Sequence, residues 1–282
     1  MEKSSKKNSL VKWIIIVLAL VVFIIGIFAW YYKIKKPHDK AVIEFNSAAN
    51  KVTELNSNLE QEISDAQSLL DSGEPPYDET TINDLTLAIA DANASKRKIP
   101  EVPKKTDEIQ KATSLLLEPL DYSSAITNIK EKKTALENSI LQLKQITNPS
   151  GDFVIQRLQG IDGISACQAV TEDHDLNGLL NKQGGYTATI YFSSPLIDQS
   201  QVYGNDIVDK GNDGGGAVEV YANQEDAAKR DAYLSSFDGA GVLNPGSHTV
   251  LGTLVLRTSS RLTATQQKDL TQKIADKLLE LQ

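Results

Sequence analysis

The chain has 282 residues, a hydrophobic fraction of 40% and a formal net charge of −8, which suits two modest domains that each bury a core. Residues 1–40 carry eight lysines against two acidic residues, whereas residues 41–150 and 151–282 are both acidic. An acidic body repels the phosphate backbone, so nucleic acid is excluded as an expected partner.

The first predicted element is an uncharged apolar segment from Trp13 to Tyr32, with the sequence WIIIVLALVVFIIGIFAWYY. About 20 apolar residues in a helix are enough to span about 30 Å of hydrocarbon. Aromatic residues lie at both ends, as is typical of membrane interfaces. The apolar run is longer than that of a cleaved signal peptide, and no small-residue cleavage site follows it. Residues 1–36 are therefore predicted to form a cytosolic tail and an uncleaved signal-anchor helix, which contacts the membrane through residues 13–32.

The orientation of this helix is less clearly marked, because four lysines precede the span and four follow it. A short tail before a single span and a long acidic body favours a cytosolic N-terminus. The only cysteine, Cys167, excludes an intrachain disulfide, which in a large extracytoplasmic region suits a Gram-positive bacterium. We expect a single-pass protein of a bacterial plasma membrane, with its C-terminal domains outside the cytoplasm.

Residues 37–148 show apolar side chains at spacings of three, four and seven, which predict amphipathic helices. Glycine and proline breaks divide the region into helices at about 37–72, 78–98, 105–117 and 121–146. Short loops between helices favour an antiparallel bundle, which would form a stalk. The alternative is a parallel coiled coil of the first helix, in which Asn56 at a core position would set the register of a homodimer through the stalk.

Two of these helices lie in residues 59–94, LEQEISDAQSLLDSGEPPYDETTINDLTLAIADANA, with the pattern A..LL before a loop and L..AI..A after it. This stretch resembles the FIVAR-type helical modules of Gram-positive membrane-anchored surface proteins, of the kind that bind extracellular matrix. The resemblance implies a helical fold and a role as a surface spacer or in matrix binding.

The pattern changes to a period of two after the linker TNPSG, so residues 149–282 are predicted to form a head domain with strands at 164–172, 186–192, 217–222 and 249–257. Helices are predicted before the first strand, after the N-cap Asn223, and after Thr263, which begins a capping box. The order is α-β-β-β-α-β-α, and the strand–helix–strand unit predicts a crossover that makes its two strands parallel. We expect a two-layer α+β domain with helices on one face of a mixed sheet, similar to small secreted domains of Gram-positive bacteria.

The sequence shows no assembled catalytic or cofactor motif. It contains neither a G-x-S-x-G elbow nor a G-x-x-x-x-G-K-[ST] phosphate loop, and three dispersed histidines with one cysteine do not form a zinc pattern. Cys167 is interpreted as an inert, buried strand residue, and His248 as a loop histidine. We interpret the chain as a non-enzymatic surface protein that binds an envelope or extracellular protein or glycan. The alternatives are an envelope hydrolase that uses carboxylates near 172–175 or His248, and an envelope signalling or assembly partner.

One segment of the sequence predicts a metal-binding site. The sequence DHDLNG at 173–178 is D-x-D-x-N-G, the first half of a calcium loop. The predicted calcium ligands are Asp173, Asp175 and Asn177. The twelfth position of the loop is Gly184 rather than an acid, and strands flank the segment, so further ligands would have to come from Asp206, Asp209 or Asp213. The alternative is an Asx-rich turn, in which these side chains bind their own backbone.

Overall fold

The computed structural model describes residues 3–241 and 244–281, without the side chains of residues 3–9. The chain divides into two compact units, one formed by residues 1–71 and 85–131 and the other by residues 72–84 and 132–282. The domain boundaries at residues 36 and 148 stay a prediction.

The N-terminal helical run consists of α1 (Lys3–Trp30), a π-helical turn (Tyr31–Lys35) and α2 (Lys36–Asp71). One helix in the described part of the chain is long and apolar enough to cross a membrane, and it is this one. Its most apolar window has a mean hydropathy of 3.0, and none of that window is buried. Leaving a large apolar side chain in water costs about 1.5–3 kcal/mol relative to burying it, so a row of exposed side chains such as Ile15, Phe23 and Ile25 suits lipid.

The first unit contains α2 and α4 (Thr106–Leu116), and parts of α3 (Thr80–Ser95) and α5 (Ser123–Gln145). The helices α2 and α4 pack through a core whose members recur at helical spacing: Ala41, Phe45, Ala48, Val52, Ile109 and Leu116. The predicted amphipathic helices are therefore present, with ends a few residues from those expected.

Asn56, which interrupts the apolar stripe of α2, finds its partners within the same chain. Its amide nitrogen donates to the carbonyl oxygen of Arg97 at 2.9 Å, and its amide oxygen accepts from the hydroxyl of Tyr122 at 2.6 Å. The same hydroxyl accepts from the backbone N–H of Arg97 at 2.7 Å. These contacts explain a polar residue in the stripe without a second chain, while a homodimer through the helices stays a prediction.

The second unit contains a five-stranded sheet, counted over the described residues, in the order β1-β2-β3-β5-β4. The strands are β1 (Ala166–Ala169), β2 (Tyr186–Ser193), β3 (Gly215–Tyr221), β4 (Ser247–Leu251) and β5 (Leu254–Thr258). The helices around the sheet are α6 (Gly151–Leu158), α7 (Ile207–Lys210), α8 (Gln224–Ser235) and α9 (Ala264–Leu279). An antiparallel sheet with helices confirms the α+β class of this region.

The predicted mixed sheet is wrong, because every pair of neighbouring strands is antiparallel. The single strand predicted at 249–257 is a hairpin that turns at Gly252, where φ is +61°. β5 therefore returns between β3 and β4 and is antiparallel to both. The crossover through α8 does place β3 and β4 in the same direction, but they are not neighbours. The predicted order α-β-β-β-α-β-α is wrong for the same reason, and because α7 precedes β3.

The predicted two-layer arrangement is also wrong, because helices cover both faces of the sheet. One face packs against α6 and α9 through Ile190, Phe192, Val218, Val220, Leu254 and Leu256. The other face packs against α7 and α8 through Tyr186, Tyr191, Ala217, Tyr221 and Val255. Alternate residues of a strand point to opposite faces, and in the central strands of this sheet both sets are buried.

Candidate functional site

The three predicted calcium ligands lie in the loop between β1 and β2, where Asp175 organises the backbone. One oxygen of its carboxylate accepts the N–H groups of Leu179 at 2.7 Å and Leu180 at 2.8 Å. The other oxygen accepts the N–H of Asn177 at 3.1 Å and the hydroxyl of Tyr186. Burial alone would raise the pKa of Asp175, but these hydrogen bonds hold it below its ordinary value. The geometry is that of an Asx turn.

The other two predicted ligands do not join Asp175 around an open point. The amide nitrogen of Asn177 lies 3.4 Å from the hydroxyl of Tyr186 and 3.3 Å from that of Tyr191. Asp173 is exposed. Over the described ranges, neither Asp173 nor Asp175 belongs to a group of three metal-ligating His, Cys, Asp or Glu side chains. The geometry favours the turn, and calcium at these positions stays a prediction.

The residue between the two predicted carboxylates, His174, does belong to such a group. Its Nε2 lies 2.9 Å from Oδ1 of Asp209, and its Nδ1 lies 3.7 Å from Oδ2 of Asp206. One ligand atom from each of these three side chains lies within 4.8 Å of the others. All three are partly exposed. The sequence named Asp206 and Asp209 as further ligands, and the structure brings them to His174 instead of to Asp175.

The two carboxylates are held by the polypeptide around them. Asp206 is the N-cap of α7, and its carboxylate accepts the backbone N–H of Asp209 at 2.8 Å. This hydrogen bond holds the two acids on the same helical turn. Gln168 of β1 donates its amide to Oδ2 of Asp206 at 3.2 Å. The amide oxygen of the same Gln168 accepts the N–H groups of Ile207 at 3.0 Å and Val208 at 3.2 Å. β1 therefore positions the start of α7.

Gly204 allows the loop before α7 to pack closely against it. Its φ is +131°, and a Cβ at this position would lie 2.7 Å from the backbone carbon of Asp209 and 2.7 Å from the backbone nitrogen of Lys210. The buried side chain of Val208 packs with Val170 against the sheet. The cluster therefore sits on a helical turn that is fixed from both sides.

The charges of this cluster stabilise one another. The hydrogen bond to Asp209 and the nearby Asp206 raise the pKa of His174 above its ordinary value. The pKa of Asp206 is lowered, first by the hydrogen bond from the N–H of Asp209, and that of Asp209 is lowered, first by the hydrogen bond to His174. Two carboxylates beside a single imidazole favour the binding of positive charge at this cluster.

A second charged cluster is buried between the sheet and α8, and sequence reasoning missed it. The side chain of Glu219 in β3 is fully buried. Arg230 of α8 binds both of its oxygens, at 2.8 and 2.9 Å, and Arg257 of β5 binds one at 2.8 Å. The hydroxyl of Tyr221 donates to it at 2.9 Å. The signal in the sequence was a charged residue inside each of two otherwise apolar strands, in AVEVY and LVLRT.

These contacts determine the charge state of Glu219. Burial alone would raise its pKa, but Arg257 and Arg230 outweigh burial and hold it below the ordinary value. A lowered pKa in the folded state means that the folded state gains stability from this carboxylate above the pKa of the unfolded chain, about 4.3. That contribution is lost as the pH falls through the folded-state pKa.

We therefore expect the second unit to lose stability as the pH falls below the pKa of the unfolded chain, about 4.3, because two buried arginines hold the folded-state pKa of Glu219 lower still. Urea unfolding between pH 7 and pH 3 would measure this loss. The variant Glu219→Gln, which has no proton to take up, should show a smaller loss over the same interval. Equal losses in the two proteins would contradict the assignment.

Two other residues considered for chemistry lie in strands of the sheet. His248 lies in β4, not in a loop, and only 7% of its side chain is exposed. Its Nδ1 lies 2.7 Å from Asp231 and its Nε2 lies 3.3 Å from Asp238, so both ring nitrogens are engaged. Cys167 lies half-buried in β1, and burial raises the pKa of its thiol to about 11. A protonated thiol is a poor nucleophile, and Cys167 is only half-buried where the sequence predicted a buried residue.

No family model, no curated protein and no solved structure matches this chain. The resemblance of residues 59–94 to FIVAR-type modules therefore stays a prediction.

Proposed function

We propose that this chain is a non-enzymatic, single-pass protein of a bacterial plasma membrane, with its N-terminus in the cytosol. Outside the cytoplasm it presents a helical segment and an α+β head that bind an envelope or extracellular protein or glycan. The observation that carries the proposal is the apolar helix near the N-terminus, which leaves its side chains exposed while each of the two units buries apolar residues of its own.

The end of the apolar helix supports this reading. The amine of Lys35 lies 5.9 Å from the ring centre of Tyr31, and that of Lys36 lies 5.5 Å from the ring centre of Tyr32. Aromatic rings and lysines at the end of an apolar helix are typical of the lipid–water interface. The acidic composition of the remaining chain gives it no electrostatic attraction to the anionic lipid surface.

The engagement of His248 by two carboxylates supports a binding role over the hydrolase alternative. A general base needs a ring nitrogen within reach of a substrate proton, and both nitrogens of this ring already contact aspartates. The buried Glu219 is likewise neutralised by two arginines. Both groups act in packing the head.

Membrane fractionation tests the anchor. We expect the full chain to remain in the membrane pellet after a carbonate wash and to be released by detergent. Leu18→Arg with Val21→Arg should weaken insertion, since each arginine at the centre of a span costs about 2.5–3.5 kcal/mol. The matched control, Leu115→Arg with Leu117→Arg, changes two exposed residues outside the apolar segment and should leave the chain in the membrane. Release of the full chain by carbonate would overturn the proposal.

A further inference from the structure

We propose that His174, Asp206 and Asp209 bind one divalent transition-metal ion, and that Zn²⁺ is the ion these ligands select. The proposal goes beyond the binding role given above, and it places the metal beside the calcium ligands predicted from the sequence, on different residues. His174 comes from the β1–β2 loop, Asp206 is the N-cap of α7 and Asp209 lies within α7.

The three side chains lie close enough together to be drawn to one ion. The three candidate ligand atoms already lie within 4.8 Å of one another. A tetrahedral zinc with bonds of about 2.0–2.2 Å separates its ligands by about 3.3–3.5 Å. The two carboxylates lie against different nitrogens of the ring, Asp209 at 2.9 Å from Nε2 and Asp206 at 3.7 Å from Nδ1, so one carboxylate has to move to the nitrogen that binds the ion. All three side chains are partly exposed, which leaves room for that movement.

The chemistry of the ligands favours zinc over calcium. Calcium prefers six to eight oxygen ligands, whereas one imidazole nitrogen and two carboxylates suit a borderline ion such as Zn²⁺. Three protein ligands leave a fourth position for water, as in open zinc sites. Two carboxylates also balance the charge of a divalent ion while His174 binds in its neutral form.

The surrounding residues orient the ligands before any metal arrives. Gln168 donates to the same oxygen of Asp206 that faces the imidazole, and the N–H of Asn205 binds the oxygen of Asp209 that faces away from it, at 3.1 Å. Partners of this kind fix the direction of a ligand and raise metal affinity. The backbone N–H of His174 donates to the carbonyl oxygen of Thr171 at 3.0 Å, which fixes the backbone of the histidine in a turn.

A bound zinc would join two segments that are 32 residues apart in the chain, at His174 and Asp206. The β1–β2 loop would then be fastened to α7 by coordinate bonds in place of a single hydrogen bond. We expect the metal to stabilise the folded state, because an ion that binds only the folded chain shifts the unfolding equilibrium.

Zinc binding by the full chain in detergent micelles, purified without a polyhistidine tag, tests the proposal. We expect one equivalent of zinc after dialysis and a higher melting temperature. Gln168→Ala removes a residue that orients a ligand, and it should lower the zinc affinity about 10- to 100-fold. His174→Gln and Asp209→Asn each remove a ligand, and each should lower the affinity by at least as much. The matched control is Asp173→Asn, one residue from the histidine, which should bind as the unchanged chain does.

The outcomes separate this site from its rivals. Absence of zinc from the unchanged chain, or unchanged binding by both His174→Gln and Asp209→Asn, would overturn the proposal. A loss in Asp173→Asn as large as that in His174→Gln would overturn it too, in favour of the loop predicted from the sequence. If a variant fails to fold, a cobalt titration of the unchanged chain tests the coordination of the site instead. An intense visible spectrum at one equivalent is that of four-coordinate cobalt, and a weak six-coordinate spectrum would contradict the site.

Discussion

Replacing Glu219 with glutamine is expected to destabilise the second unit by about 3–5 kcal/mol, the largest single effect that the structure predicts. The carboxylate is fully buried and binds Arg230 and Arg257 through three short hydrogen bonds. Glutamine keeps the shape of the side chain but not its charge, so two guanidinium groups are left without a counter-charge in a poorly solvated site. The cost comes from those unpaired charges more than from the lost bonds.

Urea unfolding of the full chain in detergent, followed by fluorescence of the tyrosines of the second unit, would measure the loss. The matched control is Glu225→Gln, which removes an exposed acid of α8 that pairs with Lys229 at 2.8 Å. An exposed pair contributes about 0–1 kcal/mol, so the control should unfold almost as the unchanged chain does. If Glu219→Gln behaved like the control, the buried charge network would be contradicted.

Replacing Asp175 with alanine is expected to destabilise the same unit by about 2 kcal/mol or more, with or without calcium. Its carboxylate accepts three backbone N–H groups and the hydroxyl of Tyr186. A hydrogen bond to a charged group contributes about 1.5–3 kcal/mol. The expected loss is smaller than the sum over these hydrogen bonds, because the side chain of Asp175 is close to solvent. The loop would lose the acceptor around which it turns.

The neighbouring acid Asp173 gives a matched comparison, since it is exposed in the same loop. Asp173→Ala should change the free energy of unfolding by less than about 0.5 kcal/mol. Melting temperatures with and without calcium distinguish the two interpretations of D-x-D-x-N-G. A turn predicts that only Asp175→Ala matters and that calcium changes nothing. A calcium-dependent stabilisation lost in both variants would establish the metal loop.

Features that depend on neighbouring residues could be predicted from the sequence. Asn223 caps α8 by accepting the N–H of Asp226 at 2.9 Å, and Thr263 with Gln266 forms the predicted capping box. These hydrogen bonds span three residues, so their pattern is visible in the chain itself. The amphipathic helices of the first unit were predictable for the same reason.

The sheet was harder to predict, because its arrangement depends on distant partners. The segment LGTLVL at 251–256 alternates well enough to be taken as one strand, although Gly252 turns it into a hairpin. The second helical layer was missed because Tyr191 and Glu219 have the polar character of solvent-facing residues. Their polar groups find distant partners, Arg230 and Arg257 for Glu219 and the amide of Asn177 for Tyr191, which no local pattern shows.

The candidate site was half predictable. The sequence indicated the right loop, and it named Asp206 and Asp209 as acids that could reach it. It could not show that Asp175 is committed to its own backbone, nor that α7 brings the two acids to His174. That meeting depends on Gln168 and on the fold of residues 193–216, which only the three-dimensional structure supplies.

The membrane topology is the most direct test of the central claim. The native cysteine is first removed by Cys167→Ala, and a single cysteine is then placed either by Tyr203→Cys, where the side chain is 98% exposed, or by Ser4→Cys in the N-terminal tail. Intact cells are treated with a membrane-impermeant maleimide. We predict labelling at position 203 in intact cells and at position 4 only after lysis. Labelling at position 4 with protection of position 203 in intact cells would contradict a head held outside the cytoplasm.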